Sequence, residues 1–277
     1  MAKLYVDLEQ TGGIDGGPLS ANTVNKTHVV LGAMLDAAVD DGIIAANPAR
    51  KSRVVKAPSG KVIRESAPEI TTWSADQLRF FLDWDRDEYH DDMFALWLTI
   101  AHTGMRRSEA LALRWADVDL KQQRVSVRRA LDTVVARTTK RTKTGNARAI
   151  DIDDDTTAVL RAWRSLRGAI AFDFARADAY VFGNLQGDLV RPNSITAKWD
   201  IRLKAAQRAL GTDSIPHMTI HGLRHTHATL LLELGVHPKV VQERLGHSNI
   251  STTLNIYSHV TPTMQRDAVT RLASLLH

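Results

Sequence analysis

The stretch that decides the fold class of this chain reads Leu245-Gly246-His247-Ser248-Asn249-Ile250-Ser251-Thr252-Thr253-Leu254-Asn255-Ile256-Tyr257. A phenol thus follows an imidazole by ten residues, at the end of a segment predicted to be helical. Upstream stands a second group of polar residues, His221-Gly222-Leu223-Arg224-His225-Thr226. An imidazole (His221), a guanidinium (Arg224), a second imidazole (His247) and a phenol (Tyr257) thus follow one another along the chain. This arrangement indicates an enzyme that forms a covalent bond to a phosphate.

The bulk composition excludes several classes of protein. At 277 residues, the chain can bury a sizeable core, as one large domain or as two smaller ones. Its most apolar stretch, residues 93–101, is far shorter than the roughly 20 residues of a membrane helix. The absence of cysteine excludes disulfides, thiolate metal sites and cysteine nucleophiles. With no apolar signal region at its start, we expect a cytoplasmic protein.

Charge is segregated along the chain. Residues 121–148 hold nine Lys and Arg against one acid, residues 50–64 hold six against none, and residues 83–92 carry six acids. Such segregation is typical of surfaces that replace counterions along a phosphate backbone, although charge runs also mark solvated faces. Within the two basic segments, the side chains predicted to contact DNA are Lys51, Arg53, Lys56, Lys140 and Arg141.

The chain is predicted to contain two domains. Residues 1–48 are interpreted as a partial helical domain, with a helix at 19–42 that begins after Ser20, and residues 49–70 as a basic linker. Residues 71–277 form the second domain, which ends in an amphipathic helix at 263–276. Alternation predicts strands of a small antiparallel sheet at 124–129, 133–138 and 147–152. Helical patterns elsewhere, including 192–210, 223–234, 238–245 and 252–258, predict a mainly α fold with this small sheet, an α+β class.

Arg106 and Arg224 are candidates to bind a phosphate, because a guanidinium stays charged and makes forked bonds to phosphate oxygens. They lie 118 residues apart, so only the fold can join them. Both are expected at helix starts, where free N–H groups and the helix dipole favour anions. Glu109, on the face of Arg106, is expected to hold that guanidinium. A plain surface arginine is the alternative interpretation for both.

Histidines are concentrated near the C-terminal end, where seven of the eleven lie between residues 217 and 259. His221 and His247 are candidates to donate to a phosphate oxygen or to move a proton, and capping or core histidines are the alternative. The spacing of His217, His221 and His225 imitates a metal-binding face. However, a helix that starts near Leu223 begins too late to align the three, and we expect no metal.

Tyr257 is the candidate nucleophile. Its phenol, with an ordinary pKa near ~10, needs a base or cations nearby in order to attack. A half-buried helix tyrosine is the alternative. Lys143, in a turn between two predicted strands, is the candidate proton donor to a departing 5′ oxygen, with phosphate binding or solvent exposure as alternatives. Lys140 and Arg141 compete with it for that role.

The groups at 103–111, 221–226 and 245–260 resemble those of the tyrosine recombinase, or phage-integrase, family, and the resemblance covers most of the chain. It implies an integrase that cuts and rejoins double-stranded DNA through a 3′-phosphotyrosine, without metal, ATP or another cofactor. The residues that match the six catalytic residues of the family are Arg106, Lys143, His221, Arg224, His247 and Tyr257. Residues 1–48 would be part of a core-binding domain and 71–277 the catalytic domain. A homotetramer on paired DNA sites, with DNA-bending or directionality accessory proteins, is implied as well.

Three other functions compete with this interpretation. A type IB topoisomerase uses related chemistry, but the run after Leu245 favours a recombinase. A catalytically idle DNA-binding fragment is disfavoured because all six candidate residues are present, and a metal-dependent nuclease is the most remote. Fewer residues precede the catalytic domain than is usual for the family, so we expect a fragment of a longer protein.

Overall fold

The computed structural model describes residues 2–50, 56–132, 138–141, 147–257, 269–270 and 273–274, with the backbone alone at 140–141 and 255–257. The chain divides into two units, Met1–Glu69 and Ile70–His277. The division falls at the end of the segment interpreted as a linker. Within the described residues, no helix is long and apolar enough to cross a membrane.

The first unit is helical, with α1 at Ala2–Thr11, α2 at Ala21–Asp40 and α3 at Gly60–Glu65. The Ser20 side chain caps α2 by accepting a hydrogen bond from the backbone N–H of Thr23, as predicted. Tyr5 of α1 and Val24 of α2 are buried together, and the Tyr5 hydroxyl lies 2.7 Å from His28 Nδ1. Helix α3 lies inside the segment interpreted as a linker.

The second unit contains eight helices in the part of the chain that is described: α4 (Ala75–Trp84), α5 (Phe94–Thr103), α6 (Arg107–Leu111), α7 (Asp154–Ile170), α8 (Pro192–Leu210), α9 (Ile220–Glu233), α10 (Pro238–Leu245) and α11 (Ile250–Tyr257). Ser74 and Gln77 form a reciprocal capping box at the start of α4. Helices α8 and α10 match their predicted bounds. Helix α9 begins three residues before the predicted Leu223, which changes the interpretation of Arg224 below.

Two small antiparallel sheets accompany these helices. Strand β2 (Arg124–Val127) pairs with β1 (Val118–Asp119) and β5 (Arg148–Asp151), and β3 (Arg129–Leu131) pairs with β4 (Thr139–Arg141). Alternate residues Val125, Val127 and Ile150 are buried, which confirms the predicted alternation. The strand predicted at 133–138 falls almost entirely outside the described residues. The predicted class, mainly α with a small antiparallel sheet, is confirmed.

Aromatic side chains form the centre of the second unit. The fully buried ring of Trp199 in α8 lies 5.2 Å from Phe81 of α4 and 5.3 Å from Trp97 of α5, between ring centroids. Its indole N–H donates to the Met218 carbonyl at 2.8 Å, and the Trp73 indole donates to the Pro216 carbonyl at 2.9 Å. The cluster therefore fixes the segment that leads into α9.

A buried acidic pair shares one guanidinium beside this cluster. The side chains of Asp85 and Asp91 are fully buried, and Arg202 forms an ion pair with Asp91 while its Nε lies 3.3 Å from Asp85 Oδ1. The Tyr89 ring lies 3.7 Å from the Arg202 guanidinium carbon. Burial, and then the negative charge of Asp91, raise the pKa of Asp85 to about 8. Asp85 is therefore mainly protonated at neutral pH.

We predict that Asp85→Asn removes a pH dependence of stability. A carboxyl group with a raised pKa keeps its proton in the folded state while the unfolded chain releases it above its ordinary pKa of 3.8. Its stabilising contribution is complete below that value and is lost as the pH rises toward about 8. The neutral amide of the variant does not titrate, so its stability does not fall in this way. The Tm of the variant relative to that of the wild type should therefore rise by several degrees between pH 5 and pH 8, since ~1 kcal/mol moves Tm by about 2–4 °C.

The measurement is a series of thermal melts followed by circular dichroism across that pH range. Asp76→Asn is the matched control, because that carboxylate is exposed on α4. Parallel Tm curves for wild type and Asp85→Asn would show that Asp85 is ionised throughout.

Candidate active site

Gly104 shapes the chain between α5 and α6. It adopts a left-handed conformation with φ of 64°, and a Cβ there would lie 2.5 Å from Leu245 Cδ2 and 2.7 Å from His227 Cδ2. Only glycine fits both the conformation and the space. The turn places Arg106 at the N-cap of α6, which confirms the predicted helix start.

The buried carboxylate of Glu109 binds two arginines. Its Oε1 accepts from Arg106 Nη1 at 2.9 Å and from Arg148 Nη1 at 3.0 Å, and its Oε2 accepts from Arg148 Nη2 at 2.7 Å. The Arg106 backbone N–H also donates to Oε2 at 2.8 Å. Burial alone would raise the pKa of Glu109, but the hydrogen bonds and charges of Arg148 and Arg106 hold it below its ordinary value. The predicted contact between Glu109 and Arg106 is thus present.

Arg148 is the member of this group that the sequence interpretation missed. Its side chain is 14% exposed, and its Nε donates to the Arg244 carbonyl at 2.8 Å. It passes so close to Gly246 that a Cβ there would lie 2.8 Å from Arg148 Nη1. In sequence Arg148 is one of nine basic residues in its segment, and nothing local distinguishes it from the others.

Arg224 is buried, with 2% of its surface exposed, and its Nη1 donates to the Gly104 carbonyl at 2.7 Å. Its Nη2 is buried without a hydrogen-bond partner among the described residues. Burial, followed by the charge of Arg106, lowers the pKa of Arg224 to about 9, so it remains mainly charged at neutral pH. A buried charged donor without a partner favours an anion at that place.

The prediction that Arg224 opens a helix is wrong. Helix α9 begins at Ile220, so Arg224 lies in its second turn, beyond the first N–H groups that the dipole argument requires. Gly222 lies inside this helix because the Met218 side chain occupies the space where a Cβ would lie, 2.0 Å from Met218 Cγ. The helix dipole therefore gives no support to anion binding at Arg224, and only its buried guanidinium does.

The two candidate histidines share the electrostatic field of the arginines. The exposed His221 has its pKa lowered to about 4 by partial desolvation and by the charges of His225, Arg224 and Arg106. Desolvation, Arg224 and Arg106 likewise lower the pKa of His247 to about 3. Both imidazoles are therefore neutral at pH 7, so each carries one N–H donor and one acceptor nitrogen.

Neighbouring side chains orient the two rings. His221 and His225 are one helical turn apart on α9, and their rings meet edge to face at 4.7 Å between centroids. His217 precedes α9, so the three do not form a helical face. Nδ1 of His247 lies 2.9 Å from the Thr253 hydroxyl of α11. In the described part of the chain, no group of three or more His, Asp or Glu residues could hold a metal ion.

The remaining candidates are only partly visible. Tyr257 is the last residue of α11, one turn beyond the buried Thr253. The structure describes its backbone and not its side chain. Lys143 and most of the predicted helix at 263–276 also lie outside them. The same holds for Lys51 and Arg53, and for the side chains of Lys140 and Arg141 in β4, whereas Lys56 is exposed.

Comparison with known proteins gives a consistent family. The model of the phage integrase family matches residues 72–264. The chain is 29% identical over 275 residues to a tyrosine recombinase XerC-like protein of Caldanaerobacter subterraneus, covering 92% of this chain and 67% of that one. It is 25% identical to the ICEBs1 integrase of Bacillus subtilis, with 93% and 67% covered. With the integrase of Staphylococcus phage L54a it shares 30% identity, covering 64% of this chain and half of the phage protein.

Solved structures share the fold. The Tn1549 transposon integrase in complex with transposon right end DNA superposes with a TM-score of 0.77 at 22% identity, covering 98% of this chain and 84% of that one. A lambda integrase dimer bound to a COC′ core site gives a TM-score of 0.57 at 14% identity, with 85% and 73% covered. At these identities, the likeness concerns the fold alone.

We predict that Glu109→Gln destabilises the protein. The amide keeps the shape but leaves Arg106 and Arg148 without the buried negative charge that offsets theirs, and removing one member of a buried ion pair costs roughly 3–5 kcal/mol. Urea unfolding should therefore show a lower midpoint at pH 7. Glu243→Gln is the control, because Glu243 is an exposed carboxylate on α10. Equal midpoints for both variants would contradict a central role of Glu109.

Proposed function

Because this chain belongs to the phage integrase family, whose members are site-specific DNA recombinases, we propose that its phosphate-binding centre is built from Arg106 and Arg224 and serves DNA cleavage by Tyr257. The proposal rests on the position of these two arginines, which come from distant parts of the chain and both lie near Gly104. One is half-exposed and the other is buried with an unpaired N–H group. Such a pair is suited to the two non-bridging oxygens of a phosphodiester.

In the proposed reaction, the Tyr257 oxygen attacks the scissile phosphorus and the bond to the 5′ oxygen breaks. The products are a 3′-phosphotyrosine and a free 5′-hydroxyl. Arg106 and Arg224 offset the negative charge that develops on the phosphate oxygens in the transition state. Attack by the 5′-hydroxyl of a partner strand then releases Tyr257 and joins the exchanged strands, so the phosphotyrosine conserves the bond energy and no nucleotide is consumed.

The proton transfers are assigned to the remaining candidates. A neutral His221 is able to accept the phenol proton, and Lys143 is proposed to protonate the leaving 5′ oxygen. A neutral His247 donates its N–H to a phosphate oxygen while its Nδ1 faces Thr253. The low pKa values of the two histidines keep both imidazoles neutral, so each has an N–H donor and a free ring nitrogen, while the arginines supply the positive charge.

The wider assembly is part of the proposal. Double-stranded DNA is the partner, and the basic residues Lys51, Arg53, Lys56, Lys140 and Arg141 are proposed to contact its backbone. We further propose a homotetramer on paired sites, with DNA-bending or directionality proteins, acting in the cytoplasm. The Tn1549 and lambda integrases were solved with DNA, which supports the DNA partner by similarity of fold.

Tyr257→Phe should abolish the covalent protein–DNA adduct while leaving DNA affinity nearly unchanged, because only the attacking oxygen is removed. The protein is incubated, in EDTA, with a nicked duplex that carries a candidate core site from the DNA flanking the gene. Adducts that survive denaturant are then counted on a gel. Tyr180→Phe is the control, since that hydroxyl bonds Arg114 away from this centre. An adduct that persists in Tyr257→Phe would assign the nucleophile elsewhere.

Arg106→Ala should slow single-turnover cleavage by about 100-fold or more, the usual effect of losing one preorganised donor to a developing oxyanion. Arg208→Ala, which removes an exposed arginine of α8, serves as the matched control. Cleavage of the nicked duplex is timed at saturating protein, and the affinity for DNA is measured separately by fluorescence anisotropy. An unchanged rate in Arg106→Ala would remove this residue from the phosphate-binding centre.

A further inference from the structure

His227 and Arg244 form a buried polar pair between α9 and α10 that the proposed reaction does not use. His227 is 8% exposed, its Nδ1 lies 2.9 Å from the Ala101 carbonyl, and its Nε2 lies 3.0 Å from Arg244 Nε. A carbonyl oxygen can only accept and the arginine Nε–H can only donate. The imidazole is therefore neutral, with its proton on Nδ1. Burial, and then the charge of Arg244, lower the pKa of His227 to about 3, in agreement with this state.

All three nitrogens of the Arg244 guanidinium donate hydrogen bonds. Besides the bond to His227, Nη1 donates to the Asp151 carbonyl at 3.0 Å and Nη2 donates to the His102 carbonyl at 3.0 Å. Its own carbonyl accepts from Arg148 Nε at 2.8 Å. One residue near the end of α10 thus bonds to α5, α9 and the end of β5. A lysine could not replace these directed contacts, because its single ammonium lacks the planar fork.

The apolar contact between α9 and α10 is small. Its buried side chains are Ala228, Leu232, Val241 and Leu245, with partly buried neighbours Leu231 and Val236. Apolar contacts are not directional, so a patch of this size leaves the rotation of a two-turn helix poorly determined. The directed hydrogen bonds of Arg244 supply the missing constraint.

We propose that Arg244, oriented by His227, is a positioning residue that sets the end of α10 and thereby the place of His247 in the cleavage centre. The inference rests on the proposed function. Helix α10 ends at Leu245, Gly246 turns the chain with φ of 68°, and His247 follows at once, so a rotation of α10 moves His247 directly. Arg106 also bonds the Gly246 carbonyl, at 3.1 Å. Two hydrogen bonds to Glu109 hold Arg106 in place independently of α10, however. A rotation of α10 is therefore expected to displace His247 and not Arg106.

A double-mutant cycle tests this route. Single-turnover cleavage of the nicked duplex is compared for wild type, Arg244→Met, His247→Ala and the double variant, well below the lowest Tm of the set. We expect Arg244→Met to reduce the rate by roughly 10- to 100-fold, as a displacement of about 1 Å can, with little change in DNA affinity. In the His247→Ala background, the same substitution should cost less than about threefold, because the group it positions is already absent.

Arg244→Lys keeps the charge and most of the side chain, so it is a second variant less prone to misfold. Its cleavage rate should fall by a factor similar to that of Arg244→Met. Glu243→Gln, at an exposed carboxylate of α10, is the control expected to cleave at the wild-type rate. An equal loss in both backgrounds would mean that Arg244 acts on general stability or on another group, and an unchanged rate in Arg244→Met would mean that it positions nothing. Either result overturns the inference.

A second measurement does not depend on cleavage. In ¹H–¹⁵N spectra of histidine-labelled protein, the ring signals of His247 are identified by their loss in His247→Ala. They should move in Arg244→Met and stay in place in Glu243→Gln. Unmoved His247 signals in Arg244→Met overturn the inference even if DNA is cut. If the wild type forms no adduct while the signals do move, the proposed function fails and the positioning contact stands.

Discussion

The arrangement of the candidate site depends on one buried carboxylate. Glu109 offsets the charges of Arg106 and Arg148, and through them it reaches the Gly246 and Arg244 carbonyls at the end of α10. A single negative charge thus holds together the turn after α5, the edge strand β5 and the segment that carries His247. Without it, several guanidinium groups would repel one another in a region poor in water, because the attraction and the repulsion both grow as the local dielectric constant falls.

The hydrogen bonds and charges of the arginines are not fully satisfied on the side where a phosphate would bind. Arg224 is buried with one N–H group unpaired among the described residues, and its pKa is lowered by burial and by Arg106. Such a group costs folding free energy in the absence of an anion and gains an interaction when one arrives. Local rules of polar satisfaction are most often broken at functional sites, and Arg224 agrees with that expectation. The neutral histidines around it offer hydrogen-bond donors and acceptors without adding positive charge.

Much of the fold could be predicted from the sequence because it follows local rules. The Ser20 cap, the helix start at Arg106 and the bounds of α8 and α10 each follow from residues that are close by in the sequence. The start of α9 was predicted near Leu223, three residues late. In the structure, Gly222 lies inside the helix, where the absence of a side chain leaves room for Met218. That requirement comes from a packed neighbour, which no periodicity reveals.

The sequence by itself determined the helical class, the family resemblance and the choice of Arg106, His221, Arg224, His247 and Tyr257 as candidates, since motif spacing and helix caps are local properties of a chain. Only the tertiary structure decided that Arg224 lies within a helix and bonds the Gly104 carbonyl, that Arg148 shares Glu109, and that Arg244 and His227 link three elements. These contacts join residues 17 to 142 positions apart. Their partners are carbonyls and carboxylates brought near by packing, and one arginine among many gives no local sign of which partner it will find.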